Sequence, residues 1–337
     1  MSDAPGRQTG ATGPAGAAPA ARRGSPLQVV LVTGLVAVLL AGASAALSGG
    51  HPGILTAGPA PAAHVAPLST AWLGKHPPPA LDVHLRAGIL VDVDAKQVLW
   101  QRAAHASRAP ASLTKLVTAM VAADLAPLDR VVRVTAVTDA DAVREVEPTS
   151  TVMGLTAGER LRVSDLLYGL FLRSGNDAAE TLGGTIVPRA RFVQLMNRKA
   201  AALHMVDSHF TTPVGLDDPA MRITAYDLAL AAAAIATRYP ALLAISGTAS
   251  MTLPQTAGHK QFAMVNYNKL VLAGSGFTYP GATGMKTAFT DDAGPCMIAT
   301  ATRDGRHLVA VVLDSDIFFT DAVKLLDYGF ATSATHH

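Results

Sequence analysis

The sequence predicts an α+β fold. Three observations carry that expectation: apolar strand-like runs near both ends of residues 85–330, a middle dominated by helical spacing, and no internal repeat. Leu85 to Val93 reads as a buried strand, Asp94-Ala95-Lys96 as a turn and Gln97 to Gln101 as its hairpin partner. Leu113, Leu116, Val117 and Met120 recur at the three-and-four spacing of one helix face. Leu166, Leu167, Leu170 and Phe171 repeat it after Ser164, read as an N-cap, and Tyr226 to Thr237 is an alanine-rich helix. Pro295 to Thr302 and His307 to Leu313 flank the hairpin turn Arg303-Asp304-Gly305-Arg306, and Asp321 to Phe330 closes with a helix.

Of 337 residues, 50% are hydrophobic and 15% charged, against about 25% charged in an average domain, which excludes a disordered chain. The net charge of +2 leaves no basic excess for a nucleic-acid partner. A single cysteine, Cys296, excludes an internal disulfide, a CxxC pair and a multi-cysteine zinc site, and on an apolar strand it reads as buried and inert.

Residues 1–26 are rich in Ala, Gly, Pro and Ser and read as a disordered cytoplasmic tail. Residues 27–47 carry no charge and, as a helix rising about 1.5 Å per residue, are long enough to cross a bilayer core. Arg22 and Arg23 precede this run and no Lys or Arg follows until Lys75, so the expected topology is a single-pass cell-membrane anchor with everything downstream extracytoplasmic. Ala43-Ser44-Ala45 has the form of a signal-peptidase site, and secretion after cleavage is the alternative. Residues 48–80 hold seven prolines and read as a linker; residues 81–332, roughly 250 in number, form one domain.

Three short motifs carry chemistry. Ser112-Leu113-Thr114-Lys115 sits at a helix start, where residues three apart share a face, so a lysine amine lies beside a serine hydroxyl it could deprotonate. Alone, the quartet reads as a capping serine followed by a solvent lysine, because such quartets are common. Ser174-Gly175-Asn176 falls between two helices. A loop there can present a proton-passing hydroxyl, and an amide that donates to one substrate group and accepts from another. Gly284-Met285-Lys286-Thr287-Ala288 precedes the paired C-terminal strands and supplies a cation and a hydroxyl suited to a substrate carboxylate. It is no phosphate loop, because Met285 stands where glycine must precede the lysine.

SxxK, SxN and KT-small, in that order and about 60 and then about 110 residues apart, are the three elements of penicillin-recognising serine enzymes. With the flanks Ala111 to Ala119, Asn176-Asp177-Ala178-Ala179, Phe192 to Asn197, Asn266 to Leu270 and Leu325 to Phe330, the segment from Leu81 to Ala331 resembles the low-molecular-mass D-alanyl-D-alanine carboxypeptidases. The resemblance implies the fold shared by penicillin-binding proteins and serine β-lactamases: a five-stranded antiparallel sheet flanked by helices plus an all-helical lobe, with the site between. It implies Ser112 as nucleophile, Lys115 as base, Ser174 and Asn176 as relay and positioning pair, and Lys286 with Thr287 as carboxylate anchor. The backbone N–H groups of Ser112 and Phe289 become the oxyanion donors. The implied partners are peptidoglycan stem peptides ending in D-Ala-D-Ala, with β-lactams as covalent inhibitors, and no metal or organic cofactor is required.

This chain departs from the pattern at Ala288, where the family expects glycine. Its members commonly add a β-rich module and an amphipathic C-terminal helix; neither follows before His337, so the expected membrane attachment is the N-terminal segment. Two other readings share the motifs: a pseudoenzyme that still holds ligand, and a serine β-lactamase or D,D-endopeptidase. The commonest β-lactamases need a glutamate downstream of SxN to activate water, and between Asn176 and Lys286 the sequence offers only Glu180, outside that context. His105, His204, His209, His259 and His307 lack metal-ligand spacing, and Asp92, Asp94, Asp217 and Asp218 read as turn and cap residues.

Overall fold

The computed structural model describes residues 67–332; the tail, the apolar run at 27–47 and the first part of the linker lie outside them. The folded region starts earlier than the expected Leu81. Ser69 bridges Gln97, Leu68 is buried, and a short helix α1 (Ala71–Lys75) sets Trp72 against the core, because these side chains cover apolar surface that the linker reading left bare.

Strands β1 (Ala87–Asp92) and β2 (Gln97–Arg102) form the N-terminal hairpin. A 3₁₀ turn (Ala111–Thr114) runs into α2 (Lys115–Leu125). There follow β3 (Val131–Arg133), α3 (Ala140–Val146), β4 (Arg160–Arg162), α4 (Val163–Leu172), α5 (Asn176–Thr185) and α6 (Arg189–Ala202). Helices α7 (Ala225–Arg238) and α8 (Pro240–Ser246) then precede the small hairpin β5 (Ser250–Leu253) and β6 (Phe262–Val265). Last come β7 (Ala282–Ala288), β8 (Cys296–Arg303), β9 (Arg306–Leu313) and α9 (Phe318–Thr332).

The main sheet has the order β2-β1-β9-β8-β7, antiparallel throughout, so its first strand β1 and its last strand β9 pair in the interior and β7 is left as an edge. Every residue of β1 is buried, the mark of a strand covered on both faces. Alternation sorts its side chains. Ile89 and Val91 join the core shared with α2, α4 and α7, while Leu90 joins Leu308, Ala310, Leu325 and Leu326 beneath α9. Helix α7 lies against the sheet because its run of buried alanines lets backbones approach closely, and Thr224 caps it by accepting from the Asp227 N–H.

One expected cap is corrected. Helix α4 starts at Val163 with Arg162 at the N-cap, and Asp165 reaches back to accept the Arg162 N–H at 3.0 Å. Ser164 lies inside the first turn, buried, its N–H given to the Leu128 carbonyl, so its hydroxyl is not the cap.

Candidate active site

Helix α2 is apolar all round: Lys115 through Ala122 are buried, so the helix is the axis of the helical lobe, with α4, α5, α6 and α7 about it. Its first residue is therefore a lysine inside the protein. Ser112 stands one turn earlier in the 3₁₀ segment, entered through Ala111 at φ 45°. That turn packs against Gly215, where a Cβ would come within 1.8 Å of the Ala111 carbonyl oxygen and φ is +90°; only glycine lets the two backbones meet. The same turn contacts β7, which brings Ser112 beside the strand carrying Lys286 and Thr287.

Lys115 Nζ lies 2.7 Å from Ser112 Oγ, 2.6 Å from Asn176 Oδ1 and 3.2 Å from the Val214 carbonyl oxygen. Asn176 in turn donates from Nδ2 to Ser150 Oγ at 2.9 Å. Burial lowers the Lys115 pKa to about 7, against the opposing pull of the Asp177 and Glu180 carboxylates. Lys286 Nζ donates to Ser174 Oγ at 2.8 Å and to the Thr287 carbonyl at 2.6 Å. Burial, and then the nearby Lys115, hold its pKa well below the usual lysine value. Burial thus works against the Lys286 ammonium, and an arriving carboxylate favours it.

The SxN segment is a strained connector, with Ser174 at φ 55° between α4 and α5. Asn176 is already the first residue of α5 rather than a loop residue, because Asp177 anchors the turn. The Asp177 carboxylate is fully buried and accepts from the N–H groups of Met153, Gly154, Leu155 and Ala178 at 2.7 to 2.9 Å. It thus pins residues 151–155 against the motif, and Thr151 Oγ1 adds a bond to the Ser174 carbonyl. The Asn176 amide, expected to face substrate at both ends, has its oxygen on Lys115 and one N–H on Ser150.

These groups open onto a cleft of about 920 Å³. Ser112, Ser150, Ser174, Asn176, Thr287 and Ala288 line it. Among the described residues the backbone N–H groups of Ser112 and Phe289 meet no protein acceptor, so both are free for a ligand oxygen. Ala288 is buried on the edge strand opposite Cys296, so its methyl sits in the wall itself. Asp217 is more than a turn residue: it accepts from Thr290 Oγ1 at 2.6 Å and ties the 214–217 loop to the segment after β7.

Other sequence candidates lie apart. Glu180 is held bidentate by Arg189 at 2.7 and 2.8 Å. Asp92 takes the Ala95 N–H in the turn and pairs with Arg306, while Asp94 pairs with His307. The Cys296 thiol donates to the Ala293 carbonyl, and burial pushes its pKa up to about 11. Among the described residues no group of three or more His, Cys, Asp or Glu side chains could hold a metal ion.

Comparison with known proteins agrees with this arrangement. Residues 74–317 match the family described as D-alanyl-D-alanine carboxypeptidase. The chain is 33% identical over 261 residues to the D-alanyl-D-alanine carboxypeptidase DacB2 of Mycobacterium tuberculosis, covering 75% of this chain and 84% of that one. It is 34% identical over 256 residues to DacD of Escherichia coli, covering 74% of this chain and 63% of that one. Bacillus subtilis DacF is likewise spanned over only 63% of its length. Penicillin binding protein 6B of Escherichia coli superposes with a TM-score of 0.68 at 33% identity, over 76% of this chain and 80% of that one. The Streptomyces K15 DD-transpeptidase does so at 0.67 and 28%, over 75% of this chain and all of that one. On the matched residues, the fold and the identity to these relatives, the chain belongs to the D-alanyl-D-alanine carboxypeptidase family.

Proposed function

We propose that this chain is a serine-type D-Ala-D-Ala carboxypeptidase acting on peptidoglycan stem peptides and acylated by penicillins. The observation that carries the reading is the set of partners around Lys115 Nζ. A neutral amine has two N–H groups and one lone pair. Two of its three neighbours, Asn176 Oδ1 and the Val214 carbonyl, can only accept; the third, Ser112, is the one that can donate. In the neutral form, with both N–H groups given to those two acceptors, the lone pair faces the Ser112 hydroxyl, which is the arrangement a general base requires.

The substrate's terminal carboxylate is held by Lys286 and Thr287. Ser112 Oγ attacks the penultimate D-Ala carbonyl as its proton passes to Lys115, and the Ser112 and Phe289 N–H groups receive the oxyanion. The proton on Lys115 then returns to the departing D-Ala nitrogen by way of Ser174, whose Oγ is held by Lys286 at 2.8 Å. The C–N bond breaks, D-Ala leaves, and Lys115, neutral again, activates the water that hydrolyses the ester. Protons and electron pairs balance on side chains alone.

The test is a synthetic peptide ending in D-Ala-D-Ala: stoichiometric release of D-Ala is expected, and peptide left intact by folded, penicillin-reactive protein would leave the pseudoenzyme reading in its place. We also propose that residues 27–47 anchor the chain with this domain on the extracytoplasmic side, supported by the Arg22-Arg23 flank. A tag after His337 should then be digested by protease outside intact spheroplasts, and its full protection would refute export. Among the described residues no single helix is long and apolar enough to cross a membrane.

A further inference from the structure

Ser150 belongs to none of the three motifs, yet it ends the hydrogen-bond chain that begins at the nucleophile. It lines the cleft, is 8% exposed, and its Oγ accepts from Asn176 Nδ2 at 2.9 Å. A hydroxyl has one proton to give. Because the Ser150 oxygen is the acceptor in this pair, its own proton points elsewhere, and no acceptor for it exists among the described residues. Its place is fixed on both sides: the Ser150 N–H closes a turn onto the Glu147 carbonyl at 3.0 Å, and Thr151 is bonded to the Ser174 carbonyl.

The direction of the Ser150–Asn176 bond matters at the other end of the amide. Were Ser150 to donate to Asn176, the amide would turn over and set Nδ2 against Lys115. That N–H would compete with the Ser112 hydroxyl for the one lone pair of the neutral amine. The observed orientation avoids the competition, and it is enforced whenever a third group occupies the Ser150 proton.

Resting on the acyl-transfer reading of this site, we infer that Ser150 is a further substrate-binding residue: its O–H donates to a carbonyl oxygen on the acyl side of the scissile bond, and this contact holds Asn176 Oδ1 on Lys115. The ligand group is a neutral acceptor, a peptide or acylamino carbonyl. Substrate occupancy is thereby coupled to the base through Ser150, Asn176 and Lys115.

The test compares two probes that differ in that carbonyl: benzylpenicillin, and the penicillin nucleus bearing a free amine in place of the acylamino side chain. Ser150→Ala should lower the second-order acylation rate with benzylpenicillin by about 10–100-fold. It should lower the rate with the amine nucleus by a clearly smaller factor, because that probe never engages the Ser150 proton and feels only the loss of the Asn176 Nδ2 acceptor. Ser150→Cys, which keeps nearly the same volume with a weak donor, should show the same differential and serves if the alanine variant does not fold. Equal losses with both probes, or no loss with either, overturn the inference. Failure of the wild-type protein to react with either probe instead overturns the acyl-transfer reading itself.

Discussion

Replacing Ser112 with alanine should abolish covalent labelling by penicillin while leaving the protein folded. The wild-type chain incubated with benzylpenicillin should gain the mass of one penicillin, and peptide mapping should place it on Ser112. A penicillin presents a strained amide carbonyl and a carboxylate in the layout of a D-Ala-D-Ala terminus. Held by Lys286 and Thr287, its carbonyl meets Ser112 Oγ, which lies 2.7 Å from Lys115 Nζ. A serine that merely capped a helix would stay unmodified, and here it caps nothing: no side-chain cap bond is made at either the 3₁₀ turn or α2. Ser112→Ala leaves Lys115 its two obligate acceptors, Asn176 and Val214, so the melting temperature should move by no more than about 5 °C. An unmodified Ser112 in folded wild-type protein removes the serine mechanism, and labelling that survives Ser112→Ala assigns the nucleophile elsewhere.

What the sequence makes legible follows from how each feature is encoded. Ser112, Lys115, Ser174, Asn176, Lys286 and Thr287 are recognisable because side-chain type and local spacing together constrain them. Helix geometry alone sets Ser112 beside Lys115, and the structure brings all six to one cleft region. The strands of the main sheet are legible because β1, β8 and β9 are long apolar runs covered on both faces. The two small two-stranded sheets are not: β3 and β4, which pair across α3, have three residues each, and β5 and β6 four each, too few to show a period. Ser150 and Val214 could not be found by motif. Val214 contributes a carbonyl, which every residue has, and Ser150 is placed by a carboxylate 27 positions later that gathers the following backbone. Asp177 did carry a signal, an acidic residue directly after the SxN motif, but its partners are backbone N–H groups with no sequence signature.

Removing Lys115 should slow acylation by roughly 10²–10⁴-fold, the usual worth of a positioned base, and the wild-type rate should depend on pH with a midpoint near 7. At its ordinary value of 10.5, a lysine is neutral in about one molecule in 3,000 at pH 7. Burial brings the pKa to about 7, so nearly half of the enzyme holds the free lone pair at neutral pH. The ammonium is disfavoured in the site by roughly 5 kcal/mol, a difference set by desolvation and only partly relieved by Asp177 and Glu180. The sign follows: the neutral amine is the reactive form, so the acylation rate should rise with pH through about 7. Each unit below that point should cost about tenfold. Lys286 sets the opposite limb, since it grips the carboxylate only as an ammonium; its lowered pKa puts that decline below the normal lysine range. Stopped-flow acylation by benzylpenicillin across pH 5 to 10 measures both limbs. In Lys115→Ala the rising limb at about 7 should vanish along with the rate. A wild-type midpoint near 10, or an acid limb that persists unchanged in Lys115→Ala, would show that the proton on Ser112 is taken by another group.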